Sequence, residues 1–232
     1  MPTTWSRISD RLSTAPSRGA IAAWLAIAAL LIALGFVGTS SAEPNSDVLY
    51  DYAFAGGSVV IYGILVGVTL TIASRLGHPL QVAGFKRFKW RWVGIGIGLI
   101  VLVLLLAQAL EPLLHAGDKQ GLEPKEWRPD RTNAFAINAL VASTVVPFAE
   151  ELFFRGVGVR ALFPFGGAAA VVITALAFGL GHGLLVALPV LVPFGLALGW
   201  VRLRADSVWP GVVAHGFYNG SALLALYLQL TN

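Results

Sequence analysis

Seven stretches of the chain are almost unbroken runs of apolar residues: 20–38, 53–74, 92–110, 134–152, 167–183, 184–201 and 209–230. Each holds between 17 and 22 residues. That is close to the ~20 residues a helix needs to cross a hydrocarbon core of roughly 30 Å. No stretch alternates apolar and polar positions over about ten residues, as a membrane-spanning β-strand would. The pattern predicts an all-α fold: a polytopic integral membrane helical bundle of about seven transmembrane helices. Phe163-Pro164-Phe165-Gly166-Gly167 is the turn signal between the fourth and fifth stretches, and Pro189 and Pro193 are positioned to kink the sixth.

Composition removes the soluble alternatives. Hydrophobic residues are 56% of the 232 and charged residues 12%, half the roughly 25% charged share of an ordinary soluble domain. The absence of cysteine excludes disulfide frameworks, thiolate metal sites and cysteine nucleophiles. Twelve of the 16 basic residues fall on one side of the predicted spans (Arg7, Arg11, Arg18, Arg75, Lys86, Arg87, Lys89, Arg91, Arg155, Arg160, Arg202, Arg204). The other side has Lys119, Lys125, Arg128 and Arg131 with eight acidic residues around them: Glu43, Asp47, Asp51, Glu111, Asp118, Glu123, Glu126 and Asp130. The positive-inside rule then puts the N-terminus in the cytoplasm and the C-terminus outside. The sequence pI near 9.7 thus reports topology. The aromatic and basic run from Phe85 to Trp92 reads as a membrane-interface segment contacting the lipid bilayer, so no nucleic acid is expected as a partner. Ser40-Ser41-Ala42 resembles a signal-peptide cleavage site, but the apolar run before it is long for a signal core and predicts an uncleaved anchor.

Four of the seven stretches contain no Asp, Glu, Lys, Arg or His. The others carry Glu150 and Glu151, His182, and His215. A charge at mid-bilayer costs at least ~2.5–3.5 kcal/mol on insertion scales, so such groups need each other or water. Glu151 and Arg155, Phe178 and His182, and His215 and Asn219 are each i and i+4 pairs and share a helix face. Glu150 and His182 lie 16 residues on either side of Gly166, which puts them opposite each other in an antiparallel hairpin. His215 is nine residues beyond Asp206, in the cytoplasmic half of the last stretch. For all three to meet, the hairpin must protrude or tilt by about two turns, roughly 10 Å. The amphiphilic stretch 153–163 permits that.

Glu150-Glu151-Leu152-Phe153-Phe154-Arg155 resembles the EExxxR motif of the CPBP intramembrane proteases, Phe178-Gly179-Leu180-Gly181-His182 their FxxxH, and His215-Gly216-Phe217-Tyr218-Asn219 their HxxxN. That family includes the type II CAAX prenyl endopeptidases and bacterial proteins linked to bacteriocin processing and self-immunity. The ordered triplet on three separate helices carries the resemblance. It divides the chain into residues 1–133, an N-terminal three-span membrane region, and residues 134–232, a four-span catalytic core. A compact chain of this kind is similar to the prokaryotic members, which implies a prokaryotic plasma membrane.

The resemblance implies peptide-bond hydrolysis, with Glu150 as general base on water helped by His182, and His215 and Asn219 as donors to the oxyanion. Glu151 with Arg155 then forms a structural ion pair, supported by Phe178. The expected substrate is a peptide or protein reached from the membrane or the cytoplasmic face. This mechanism requires no cofactor. A zinc version remains open, with Glu150, His182 and His215 as ligands and a water in the fourth position. Two other classes also remain open: a proton-coupled transporter using the same groups as a relay, and a non-enzymatic immunity or scaffold protein.

Overall fold

The computed structural model describes residues 18–41, 47–115, 124 and 126–231. Arg7, Arg11, Ala42, Glu43, Asp118, Lys119, Glu123 and Lys125, which entered the charge and cleavage arguments, lie outside the described residues. Among the described residues there is no strand. The long helices are α1 (Arg18–Ser41), α2 (Tyr52–Ser74), α3 (Arg91–Leu114), α4 (Thr132–Glu151), α5 (Gly167–Gly181), α6 (Leu188–Ala205) and α7 (Trp209–Thr231). Each coincides with one predicted apolar stretch. Arg18–Ser40, Tyr52–Ser74, Arg91–Leu114, Pro129–Phe165 and Leu185–Ala205 are long and apolar enough to cross a membrane. Helix α5 has only 15 residues, and the apolar run of α7 is interrupted by His215, Tyr218 and Asn219.

The long helices expose large apolar side chains. Ile61 is 63% exposed, whereas Glu151 and Arg155 are fully buried. An apolar exterior of this kind suits a hydrocarbon solvent, and it encloses a few charged groups, Glu151 and Arg155 among them, within an otherwise apolar interior.

Helix α4 continues without a break through a π-helical segment, Leu152–Gly158, a helical turn, Val159–Leu162, and a 3-10 turn, Phe163–Phe165. Counted from Pro129 the rod is 37 residues long, about 55 Å at ~1.5 Å per residue and well beyond a ~30 Å hydrocarbon core. Glu150 therefore lies near the middle of a rod, which relieves the depth mismatch that the sequence poses for His215. The stretch read as amphiphilic is instead buried throughout Leu152–Leu162, Arg155 and Arg160 included. Two glycines let neighbours close on it: a Cβ on Gly156 would lie 2.7 Å from the Ala83 carbonyl oxygen, and one on Gly158 2.7 Å from the Trp24 ring. Trp24 stacks on Phe153 at 5.4 Å and donates its indole N–H to the Phe153 carbonyl at 3.0 Å. The π segment is thus pinned from α1, a helix more than a hundred residues upstream.

The remaining contacts set the register of the helices. Asn138 on α4 donates to the carbonyls of Leu49 (3.1 Å) and Asp51 (3.0 Å), fastening the start of α2 beside α4. Pro147 inside α4 has no N–H for the Ser143 carbonyl, and that carbonyl faces Gly216 of α7, where a Cβ would lie 2.5 Å from it. Helices α5 and α6 cross through Gly195 and Gly199, one turn apart and set against Ala175 and Val171. Such small-residue crossings let membrane helices gain packing that lipid cannot offer.

Helix α6 departs from the sequence expectation. Gly183, at φ +70°, ends the preceding turn, and a 3-10 turn Leu185–Ala187 precedes Leu188. Pro189 then sits in the first turn of the helix, where its missing N–H costs nothing. Only Pro193 is an internal proline. On the far side of α6, Lys86 pairs with Asp206 at 2.8 Å and Val208 N–H donates to Gly84 O at 3.0 Å, stapling the α6–α7 turn to the loop after α2.

Candidate active site

Three helices bring the acidic and imidazole groups together. At the end of α4, Glu150 is half-buried, its side chain 12% exposed, and Glu151 is fully buried. One turn on, in the π segment, the Arg155 guanidinium forms an ion pair with Glu151, Nη1 lying 2.9 Å from Oε1. From α7, His215 inserts between the two carboxylates: its Nδ1 is 3.1 Å from Glu151 Oε1, and its Nε2 is 3.7 Å from Glu150 Oε2. Gly211, one helical turn before His215, makes room for this; a Cβ there would come within 2.8 Å of Glu151 Oε2.

The two glutamates thus have different surroundings. Glu151 is spent on an internal ion pair and on orienting an imidazole, in the way a carboxylate fixes a catalytic histidine. Glu150 is partly exposed, with Oε2 3.7 Å from His215 Nε2. When Nδ1–H of His215 is donated to Glu151, Nε2 is the ring atom that faces Glu150 and whatever occupies the site.

His182 caps α5 and has its Nδ1 2.9 Å from the Phe178 carbonyl. A carbonyl only accepts, so Nδ1 carries a proton and Nε2 is the ring atom left free by that bond. Among the described residues no hydrogen bond joins His182 to Glu150 or His215. It reaches the cluster through Phe178, whose ring centroid is 4.7 Å from that of His182 and 5.7 Å from that of His215. The Arg155 guanidinium carbon lies 4.4 Å from the Phe178 centroid, a cation–π contact inside the protein. Phe178 is thus in contact with all three motifs.

Asn219, one turn after His215, donates from Nδ2 to the Ala142 carbonyl at 2.8 Å. This ties α7 to α4 beside the Ser143–Gly216 approach and leaves the second amide hydrogen uncommitted by that bond. For the zinc alternative, the described residues contain no group of three His, Asp or Glu side chains close enough to share one ion. The expected ligands Glu150, His182 and His215 are not drawn into one three-ligand centre.

A first reading of the sequence misses two contributors. Tyr62 on α2 donates its hydroxyl to Glu150 Oε1 at 3.1 Å, and Phe194 on α6 packs edge-on against His215 at 4.8 Å. The signal for Tyr62 is a phenol in the middle of an otherwise apolar span. It escapes an inventory confined to side chains that are charged or titrate near neutrality. Nothing in the sequence separates Phe194 from the many lipid-facing aromatics.

The family model described as Type II CAAX prenyl endopeptidase Rce1-like matches residues 132–221. No curated protein and no solved structure matches the chain. The matched segment runs from the first residue of α4 to two residues past Asn219, and it holds Glu150, Glu151, Arg155, Phe178, His182, His215 and Asn219. Over that segment, well under half of the chain, the protein is similar to the type II CAAX prenyl endopeptidases, which are hydrolases.

Proposed function

We propose that the protein is an intramembrane endopeptidase in which Glu150 activates the water that attacks a peptide bond of a membrane-associated substrate. Glu150 takes a proton from that water as its oxygen bonds to the carbonyl carbon. It returns the proton to the amine nitrogen as the C–N bond breaks. His182 assists through Nε2, the ring atom that the Phe178 bond leaves free. His215, as an imidazolium held by Glu151 through Nδ1–H, donates Nε2–H to the carbonyl oxygen as it becomes negative, and Asn219 donates its remaining amide hydrogen there. The observation that carries this reading is the placement of His215 between a carboxylate spent on an ion pair and one that is partly accessible.

All seven helices lie in the membrane as one bundle, with the N-terminus cytoplasmic and the C-terminus outside, in a prokaryotic plasma membrane. The substrate enters from the membrane or the cytoplasmic face, and the chain belongs with the bacteriocin-processing and self-immunity branch. No observation favours a transporter relay or a non-enzymatic scaffold. The test is cleavage of candidate membrane-associated peptides by purified protein in detergent. Glu150→Ala and His182→Ala are each expected to slow cleavage by about 10²–10⁴, the usual contribution of general acid–base groups. Undiminished cleavage by either variant would remove that residue from the mechanism.

A further inference from the structure

We infer that Tyr62 is a positioning residue for hydrolysis, selecting which oxygen of Glu150 acts as the base. The inference rests on the function proposed above. Helices α2 and α4 run parallel and are fixed at one end by Asn138, which donates to Leu49 O and Asp51 O. From Asp51 to Tyr62 is 11 residues and from Asn138 to Glu150 is 12, about 17 and 18 Å along the two axes at ~1.5 Å per residue. The tether therefore delivers the Tyr62 hydroxyl to the depth of Glu150, where it donates to Oε1 at 3.1 Å.

The other oxygen, Oε2, faces His215 Nε2 at 3.7 Å. A carboxylate on a flexible side chain would otherwise rotate and present either oxygen. With Oε1 occupied by the phenol, Oε2 alone is presented to water beside the imidazole that meets the substrate carbonyl. The order this imposes on base, water and oxyanion donor is the kind of orientation that lowers a barrier without improving substrate binding. Tyr62 lies outside the matched segment 132–221, on a helix that the three motifs do not include.

The test is Tyr62→Phe in the full-length protein, assayed beside Glu150→Gln with the same peptide. The phenylalanine ring fills the same space, so the unfolding midpoint and KM are expected to stay at wild-type values. The expected fall in kcat is about tenfold, the scale of losing one hydrogen bond to a charged acceptor. Tyr62→Phe combined with Glu150→Gln is expected to be no slower than Glu150→Gln alone, because the hydroxyl acts only through that carboxylate. Wild-type kcat in Tyr62→Phe, or a loss explained by raised KM or lowered stability, would overturn the inference while leaving the function intact if Glu150→Gln is inactive. Full activity in Glu150→Gln would overturn both.

Discussion

Glu151 and His215 meet at 3.1 Å in a buried interior although 64 residues separate them in the chain. The same carboxylate oxygen also receives the Arg155 guanidinium at 2.9 Å. One acidic group therefore serves two cationic or ionisable neighbours, and its loss has a different signature from the loss of a base.

Replacing Glu151 leaves Arg155 charged and unpaired in a dry environment. Glu151→Gln is expected to destabilise the protein by about 3–5 kcal/mol, the range for breaking a buried pair from one side. Glu151→Gln with Arg155→Met is expected to regain most of that stability yet stay slow, because His215 still lacks its carboxylate. Unfolding midpoints in detergent and cleavage rates of the three variants check both parts.

The interhelical bond of Asn219 and its proposed oxyanion role have separable magnitudes. The bond to the Ala142 carbonyl is one interhelical hydrogen bond, worth on average about 0.6 kcal/mol within a membrane. An oxyanion donor contributes about 10²–10³ in rate. Asn219→Ala is therefore expected to be nearly as stable as wild type and at least a hundredfold slower, and a small rate loss proportional to a stability loss would assign it to packing alone.

Trp24 tests whether the first helix matters to the site. Trp24→Phe keeps the stacking on Phe153 and removes the N–H donated to its carbonyl. The expected cost is about 1 kcal/mol of stability, whereas Trp24→Ala, which also opens a cavity, is expected to cost about 3–5 kcal/mol. Denaturant or thermal titration of both variants distinguishes the bond from the bulk.

Gly183→Ala is expected to slow cleavage by displacing His182. The residue has φ +70° and lies against the Gly35 backbone, so a methyl group meets both strain and a clash. The variant should show a lower kcat with more modest change in unfolding midpoint, and a wild-type kcat would show that the turn relaxes without moving the histidine.

Chelation addresses the zinc alternative directly. Prolonged treatment with a strong chelator, followed by metal analysis of the protein, is expected to leave the cleavage rate unchanged. Loss of activity restored by added zinc, with binding abolished in His215→Ala, would replace the water-activation scheme proposed here.

The positions of the long helices were readable from apolar run lengths because lipid rewards such runs irrespective of tertiary contacts. Glu150, Glu151, His182 and His215 were readable for the converse reason: a titratable group in such a run is costly without a partner. Other features depend on neighbours that no local signal reveals. The π segment at Leu152–Gly158 is stabilised by Trp24 and Ala83 from other helices, and the sequence gives only two glycines to hint at it. Tyr62 was missed because its neutral phenol is common in apolar spans, and its significance comes from the register with α4. Pro189 was misread as a kink because whether a proline opens or interrupts a helix turns on the loop before it, here closed by Gly183.

Excising residues 132–221 as a minimal unit would keep every motif side chain and discard much of what aims them. The indole that anchors Phe153, the Thr39 hydroxyl bound to the Gly183 carbonyl at 3.0 Å and the phenol on Glu150 all come from upstream. A graft of that segment onto foreign leading helices would inherit the reactive groups without their alignment, so exchange of parts among such chains demands co-transfer of the first two helices.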